Sequence, residues 1–207
     1  MLLTLAVIAP GSFAASATPA DATRTLLVLG DSLSAEYGLA RGQGWVAQLE
    51  QRLAEQRLPW TIVNASISGE TSAGGRSRLP DLLRRHQPSI VLIELGANDG
   101  LRGLPLQALE ANLREMVRMS VQARAQPVLV GMMIPPNFGR AYADQFAAVF
   151  ERVAQTEQVP WVPFLLAGVA DDPALFLDDR IHPNARAQAI LLDNVWPVLE
   201  PLLRSRR

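Results

Sequence analysis

Four short segments carry serine, glycine, asparagine, aspartate and histidine residues of the types and spacing for nucleophilic catalysis. The first is Gly30-Asp31-Ser32-Leu33-Ser34, the second Asn64-Ala65-Ser66-Ile67-Ser68-Gly69-Glu70, the third Gly96-Ala97-Asn98-Asp99, and the fourth Asp178-Asp179-Arg180-Ile181-His182-Pro183. A serine hydroxyl attacks an acyl carbon well only when a neighbouring base takes its proton. The chain has 2 histidines, His86 and His182, so the base is sought between them. His86 closes the polar segment LLRRHQP, where a cation suits a helix C-terminus, and reads as a surface residue. That leaves His182 as the base for Ser32. A carboxylate that fixes its tautomer completes the set. Asp179 lies three residues before it, and Asp178 is the rival. Charge developing on the attacked carbonyl oxygen needs preorganised donors. The candidates are the backbone N–H groups of Ser32 and Gly69 and the side-chain amide of Asn98. Glycine suits the second position because a backbone must approach the substrate closely there. Asp31 and Asp99 read as structural groups that bond loop amides.

The elements that must position these loops follow from periodicity. Short apolar runs at Thr25–Leu29, Trp60–Val63, Ser89–Leu95, Pro127–Ile134 and Val159–Phe164 read as strands. Helical patterns fill the gaps at Trp45–Leu58, Ser72–His86, Leu106–Ala125, Arg140–Gln158 and Asn184–Leu203, the last interrupted near Pro197. Continuous apolar strands are buried on both faces, as in a parallel sheet. The alternation of strand and helix makes a doubly wound α/β sandwich with right-handed crossovers. Ligands in such sheets sit beyond the carboxyl ends of the strands, and three of the four segments directly follow strand candidates.

The four segments, in this order, resemble the blocks of the GDSL, or SGNH, hydrolase superfamily: GDSLS at 30–34, the Gly69 loop, GAND at 96–99 and DRIHP at 179–183. The strings NASISGETS and ELGANDGLRGLP are similar to the bacterial periplasmic branch known as thioesterase I, lysophospholipase L1 or arylesterase. The resemblance spans nearly the whole mature chain. It implies a flavodoxin-like three-layer α/β/α sandwich with a five-stranded parallel sheet in the order 2-1-3-4-5. It also implies metal-free hydrolysis of acyl esters and thioesters. Ser32, His182 and Asp179 would form the triad, with Ser32, Gly69 and Asn98 at the oxyanion hole; the family pattern favours Asp179 over Asp178.

Composition narrows the alternatives. No cysteine is present, which excludes thiolate nucleophiles and thiolate metal sites. All 19 basic residues are arginine, so lysine-dependent phosphate loops and Schiff bases are excluded as well. No cofactor and no metal is expected. A net charge of -1 implies no nucleic-acid partner. A monomer is expected. Two generic motifs fail: no G-x-S-x-G elbow surrounds Ser32, and Gly42-Gln43-Gly44-Trp45-Val46-Ala47 matches a dinucleotide loop by letters alone, with no strand before it. The Asn64-Ala65-Ser66 sequon lies at a strand end where modification is not expected.

The apolar run Leu2–Pro10, followed by small residues with Ala15 and Ala17 in an A-x-A arrangement, reads as a signal peptide over 1–17. It is far shorter than the ~20 apolar residues of a membrane span. Residues 18–207 then form one exported domain, expected in the periplasm. On the substrate side, Leu101, in a segment whose glycines would permit a lid, and Ile134, Pro135 and Phe138 after the fourth strand are candidates for an acyl groove. Small acyl esters or thioesters are the expected substrates. Two other readings remain at this point: an O-acetyl esterase acting on carbohydrate or peptidoglycan, selected by a small polar pocket, and a non-catalytic binding module on the same sheet.

Overall fold

The computed structural model describes residues 23–205, so the segment read as a signal peptide lies outside the described residues. Five parallel strands form one sheet: β1 (Arg24–Gly30), β2 (Trp60–Asn64), β3 (Ile90–Glu94), β4 (Gln126–Val130) and β5 (Trp161–Val162), in the order β2-β1-β3-β4-β5. Among the described residues six α-helices connect or close them: α1 (Trp45–Glu55), α2 (Ser72–His86), α3 (Ala97–Leu101), α4 (Leu106–Gln122), α5 (Arg140–Glu157) and α6 (Gln188–Arg204). α1 packs with α6, while α4 packs between α2 and α5, so helices cover both faces of the sheet. The order and the three layers are those implied by the family resemblance. Among the described residues no helix is long and apolar enough to cross a membrane.

The central strands explain the continuous apolar runs. Leu26, Leu27, Val28 and Leu29 of β1 and Val91, Leu92 and Ile93 of β3 are wholly buried, because helices lie on both faces. Burying each such side chain contributes roughly 1.5–3 kcal/mol. One residue breaks the pattern: Glu94, the last of β3, is as buried as its apolar neighbours and pairs in register with Gly30.

Several boundaries depart from expectation. β4 stops at Val130 rather than Ile134, and β5 shrinks to Trp161–Val162. Pro160 and Pro163 flank β5 and cannot donate to a ladder, so the sheet ends there. α6 is not interrupted: Pro197 and Pro201 both lie inside it. An interior proline costs about 3 kcal/mol or more. The buried face of Leu191, Leu192, Val195, Leu199 and Leu203 offsets that loss. α3, expected as loop, is a single turn of helix.

The apparent dinucleotide loop is a helix entry. Gly44 caps α1, and the N–H groups of Gly42 and Gly44 donate to the Glu36 carboxylate, occupying the amides that a phosphate would need. Asn64 of the sequon donates its amide to the Ser34 carbonyl at 2.8 Å.

Candidate active site

β1, β2 and β3 end side by side, and their carboxyl ends release the first three loops at one edge of the sheet. After β1 the chain turns tightly: the N–H groups of Ser34 and Ala35 both donate to the Asp31 carbonyl, and the Leu33 N–H donates to Asp31 Oδ1 at 3.0 Å. Ser32 sits within this turn, half-buried. After β3, Gly96 adopts φ +124, where a Cβ would meet the Phe150 ring at 2.9 Å, and the chain then enters α3 with Asn98 in its first turn. Gly69, between β2 and α2, has φ +79, a conformation that L side chains rarely adopt.

His182 arrives from the far end of the sequence on the loop before α6. Two features fold that loop back on itself. Phe176 and Pro183 form an antiparallel bridge, and the Leu177 N–H donates to the His182 carbonyl at 2.8 Å. Buried Gln188 adds a third tie. Its Nε2 donates to the Pro183 carbonyl while its Oε1 accepts the Trp45 N–H.

The result is a hydrogen-bonded row. Asp179 Oδ2 lies 2.7 Å from His182 Nδ1, and His182 Nε2 lies 2.9 Å from Ser32 Oγ. The other Asp179 oxygen accepts the backbone N–H groups of Ile181 and His182, at 2.9 and 3.0 Å. Burial alone would raise the Asp179 carboxyl. The bonds from the His182 backbone and ring and from Ile181 outweigh it and hold it at about 2. Asp178 is exposed, and Asp179 is the residue that meets the imidazole. His86 ends α2, outside this row.

Asn98 joins the group through Asp31: its Nδ2 donates to Asp31 Oδ2 at 3.0 Å. Asp99 faces the other way. Its two carboxylate oxygens accept the N–H and the hydroxyl of Ser72 at the start of α2, and Asn112 Nδ2 donates to the same hydroxyl. A carboxylate at that helix N-terminus is favourably placed. Of the groove candidates, Leu101 is half-buried, Pro135 and Phe138 are exposed, and Ile134 is 6% exposed and belongs to the core.

Sequence reasoning missed three neighbours of this site. The Tyr37 ring lies 4.2 Å from that of His182 at an interplanar angle of 37°. Arg102 donates to the Gly69 carbonyl at 2.9 Å. Glu94 Oε2 accepts the Ser34 hydroxyl at 2.6 Å and the Asp31 N–H at 3.3 Å. Of these, only Glu94 carries a sequence signal, as a lone acid ending an otherwise apolar strand.

A parallel sheet in this order, with Ser, Gly, Asn and His following one another on the segments that connect its strands and helices, is the architecture of the GDSL, or SGNH, hydrolases. The chain belongs to the GDSL-like Lipase/Acylhydrolase family, whose model matches residues 28–190. It is 48% identical over 186 residues to "Esterase TesA" of Pseudomonas aeruginosa, covering 90% of this chain and 92% of that protein. It is 43% identical over 184 residues to "Thioesterase 1/protease 1/lysophospholipase L1" of Escherichia coli strain K12, covering 89% of this chain and 87% of that protein. The crystal structure of TesA superposes with a TM-score of 0.85 at 49% identity, covering 86% of this chain and 99% of that one.

Proposed function

We propose that this serine hydrolase cleaves acyl esters and thioesters, with Ser32 as nucleophile, His182 as general base and acid, and Asp179 as the group that orients His182. The observation that carries the reading is the unbroken row from Asp179 through His182 to Ser32. Ser32 Oγ attacks the acyl carbon as its proton passes to His182 Nε2. The carbon–oxygen or carbon–sulfur bond then breaks, and that proton leaves with the alcohol or thiol. Water, deprotonated by His182, next attacks the acyl-serine, and the acid departs as Ser32 regains its proton. The ionised Asp179 stabilises the imidazolium present in each half of this cycle.

The oxyanion is held by the Ser32 and Gly69 N–H groups and by the Asn98 amide. An amide nitrogen carries two N–H bonds. With one directed to Asp31, Asn98 retains another for the oxyanion. In this reading Leu101, Pro135 and Phe138 contribute to the acyl side, with Ile134 in the core behind the fourth-strand segment. Each methylene buried there contributes about 0.8 kcal/mol, which favours longer chains. The names of the relatives support ester, thioester and lysophospholipid substrates.

Labelling with a fluorophosphonate tests the assignment. Wild-type protein is expected to be modified at Ser32 alone, and Ser32→Ala to fold normally while losing kcat on the order of 10⁶-fold. Modification at Ser34 or Ser66, or a substantially active Ser32→Ala protein, overturns it. Rates against p-nitrophenyl esters of graded length, acyl-CoA and lysophospholipid then rank the substrates.

Export of the domain to the periplasm belongs to the same proposal, supported by the apolar run Leu2–Pro10 and the small residues after it. N-terminal sequencing of the protein from a fractionated native cell is expected to start between Ala15 and Asp21. An intact Met1 in the cytosol overturns export.

A further inference from the structure

Glu94 is a carboxyl group in the middle of the protein that the hydrolytic cycle does not use. It closes the fully buried strand β3, and its relative exposure is 0%. Among the described residues no arginine or histidine pairs with it, and its charged neighbour is another acid, Asp31. An isolated carboxyl in such a place is costly unless its hydrogen bonds are specific and satisfied.

Its two hydrogen bonds are specific. Glu94 Oε2 accepts the Ser34 hydroxyl at 2.6 Å and the Asp31 N–H at 3.3 Å. Asp31 and Ser34 are the residues immediately before and two after Ser32, so the carboxyl grips the nucleophile's turn on both sides. Gly30 makes the approach possible. It is the register partner of Glu94, and a Cβ on Gly30 would lie 2.7 Å from Glu94 Oε2. Glu94 Oε1 is buried without a hydrogen-bond partner among the described residues, which is where a carboxyl proton would reside. Burial, with the Asp31 charge beside it, raises the Glu94 carboxyl well above the usual range, which also favours the neutral acid.

We propose that Glu94 is a positioning residue for the nucleophile: by accepting from the Ser34 hydroxyl and the Asp31 N–H, it fixes the turn that carries Ser32 at the distance His182 requires. The assignment rests on Ser32 being the nucleophile. It gives a role to the second serine of GDSLS, which donates to the clamp rather than to substrate. A displacement of about 1 Å at a reacting group costs on the order of 10² in rate, so a loosened turn shows in kcat before it shows in binding.

The test compares Glu94→Leu, Glu94→Gln and Ser34→Ala with wild type, using p-nitrophenyl butyrate, fluorophosphonate labelling and melting curves. Glu94→Leu keeps the volume and removes the acceptor. It is expected to melt cooperatively and to lose kcat on the order of 10²-fold with KM little changed. Glu94→Gln keeps a neutral acceptor oxygen and is expected to restore kcat to near the wild-type value. Ser34→Ala removes one of the two donors and is expected to lower kcat in the same direction by less. A folded Glu94→Leu enzyme with wild-type kcat overturns the proposal, as does a Glu94→Gln enzyme as impaired as Glu94→Leu. Should Glu94→Leu fail to fold, Ser34→Ala decides: unchanged kcat overturns the role and reduced kcat supports it. Wild-type protein that hydrolyses the ester without labelling at Ser32 overturns the nucleophile assignment itself, a result distinct from unaffected variants of a protein that does label there.

Discussion

Asn98 Nδ2 donates to Asp31 Oδ2 across 3.0 Å, tying the loop after β3 to the loop after β1. The bond fixes the rotation of the Asn98 amide, so its remaining N–H has a set direction rather than a range of them.

Asn98→Ala is therefore expected to lower kcat by about 10²–10³, with KM little changed, because it removes a donor that acts on the charge of the transition state. Asn98→Asp is expected to be at least as poor, since it sets a second carboxylate against Asp31. Steady-state kinetics and melting curves on both variants check this. A stable, nearly active Asn98→Asp protein contradicts the oxyanion role.

Asp179→Asn leaves a carbonyl oxygen for the Ile181 and His182 N–H groups but can present an NH₂ group to His182 Nδ1. The imidazole then favours the wrong tautomer, and kcat is expected to fall on the order of 10⁴-fold while the loop stays folded. Stability gives a second readout. The folded carboxyl, at about 2, lies below its unfolded value. Its contribution is thus present above about pH 4 and is lost as pH falls towards 2. Between those values the melting temperature of wild type is expected to fall more steeply than that of Asp179→Asn.

Asp31 behaves in the opposite sense. Burial pushes its carboxyl up to about 6, with the Asp99 charge adding, against the Leu33 N–H, the Asn98 amide and His182. A folded value above the unfolded one means that its contribution is full below about pH 4 and is lost as pH rises through 6. The melting temperature of wild type minus that of Asp31→Asn is expected to shrink between pH 4 and pH 7. A constant difference across that range contradicts the shift.

Gly100 gives a packing test. A Cβ there would meet the Phe146 ring at 2.6 Å and Ile134 Cγ2 at 2.9 Å. Gly100→Ala is expected to destabilise the protein by about 1–3 kcal/mol through overpacking, read from denaturant unfolding. Because Gly100 and Asn98 share the single turn α3, kcat is expected to fall with it.

Much of this was legible in the sequence because strands buried on both faces write themselves as apolar runs. TLLVL and SIVLIEL both mark strands, and the segments that follow them carry Ser32 and Asn98. Proline signals misled at Pro197, where packing of α6 outweighs a local penalty, and the Gly-Asn-Asp composition of 96–100 disguised a turn of helix as loop. Glu94 stands out in the sequence as a lone acid in an apolar run, but its partners do not, and the Tyr37–His182 contact and the Arg102–Gly69 bond leave no trace there at all. Each joins residues far apart in the chain through side-chain geometry that no local pattern encodes.

The proposed nucleophile and base, Ser32 and His182, lie 150 positions apart, with His182 following the last strand. A ribosome delivers Ser32 early and His182 near the end, and a domain generally folds as a unit. Until the final loop is made and docks, Ser32 is an ordinary alcohol without a base. On the proposed roles, chains that stop before His182 are expected to be inert towards the esters around them, and hydrolytic competence to appear only once that loop has docked.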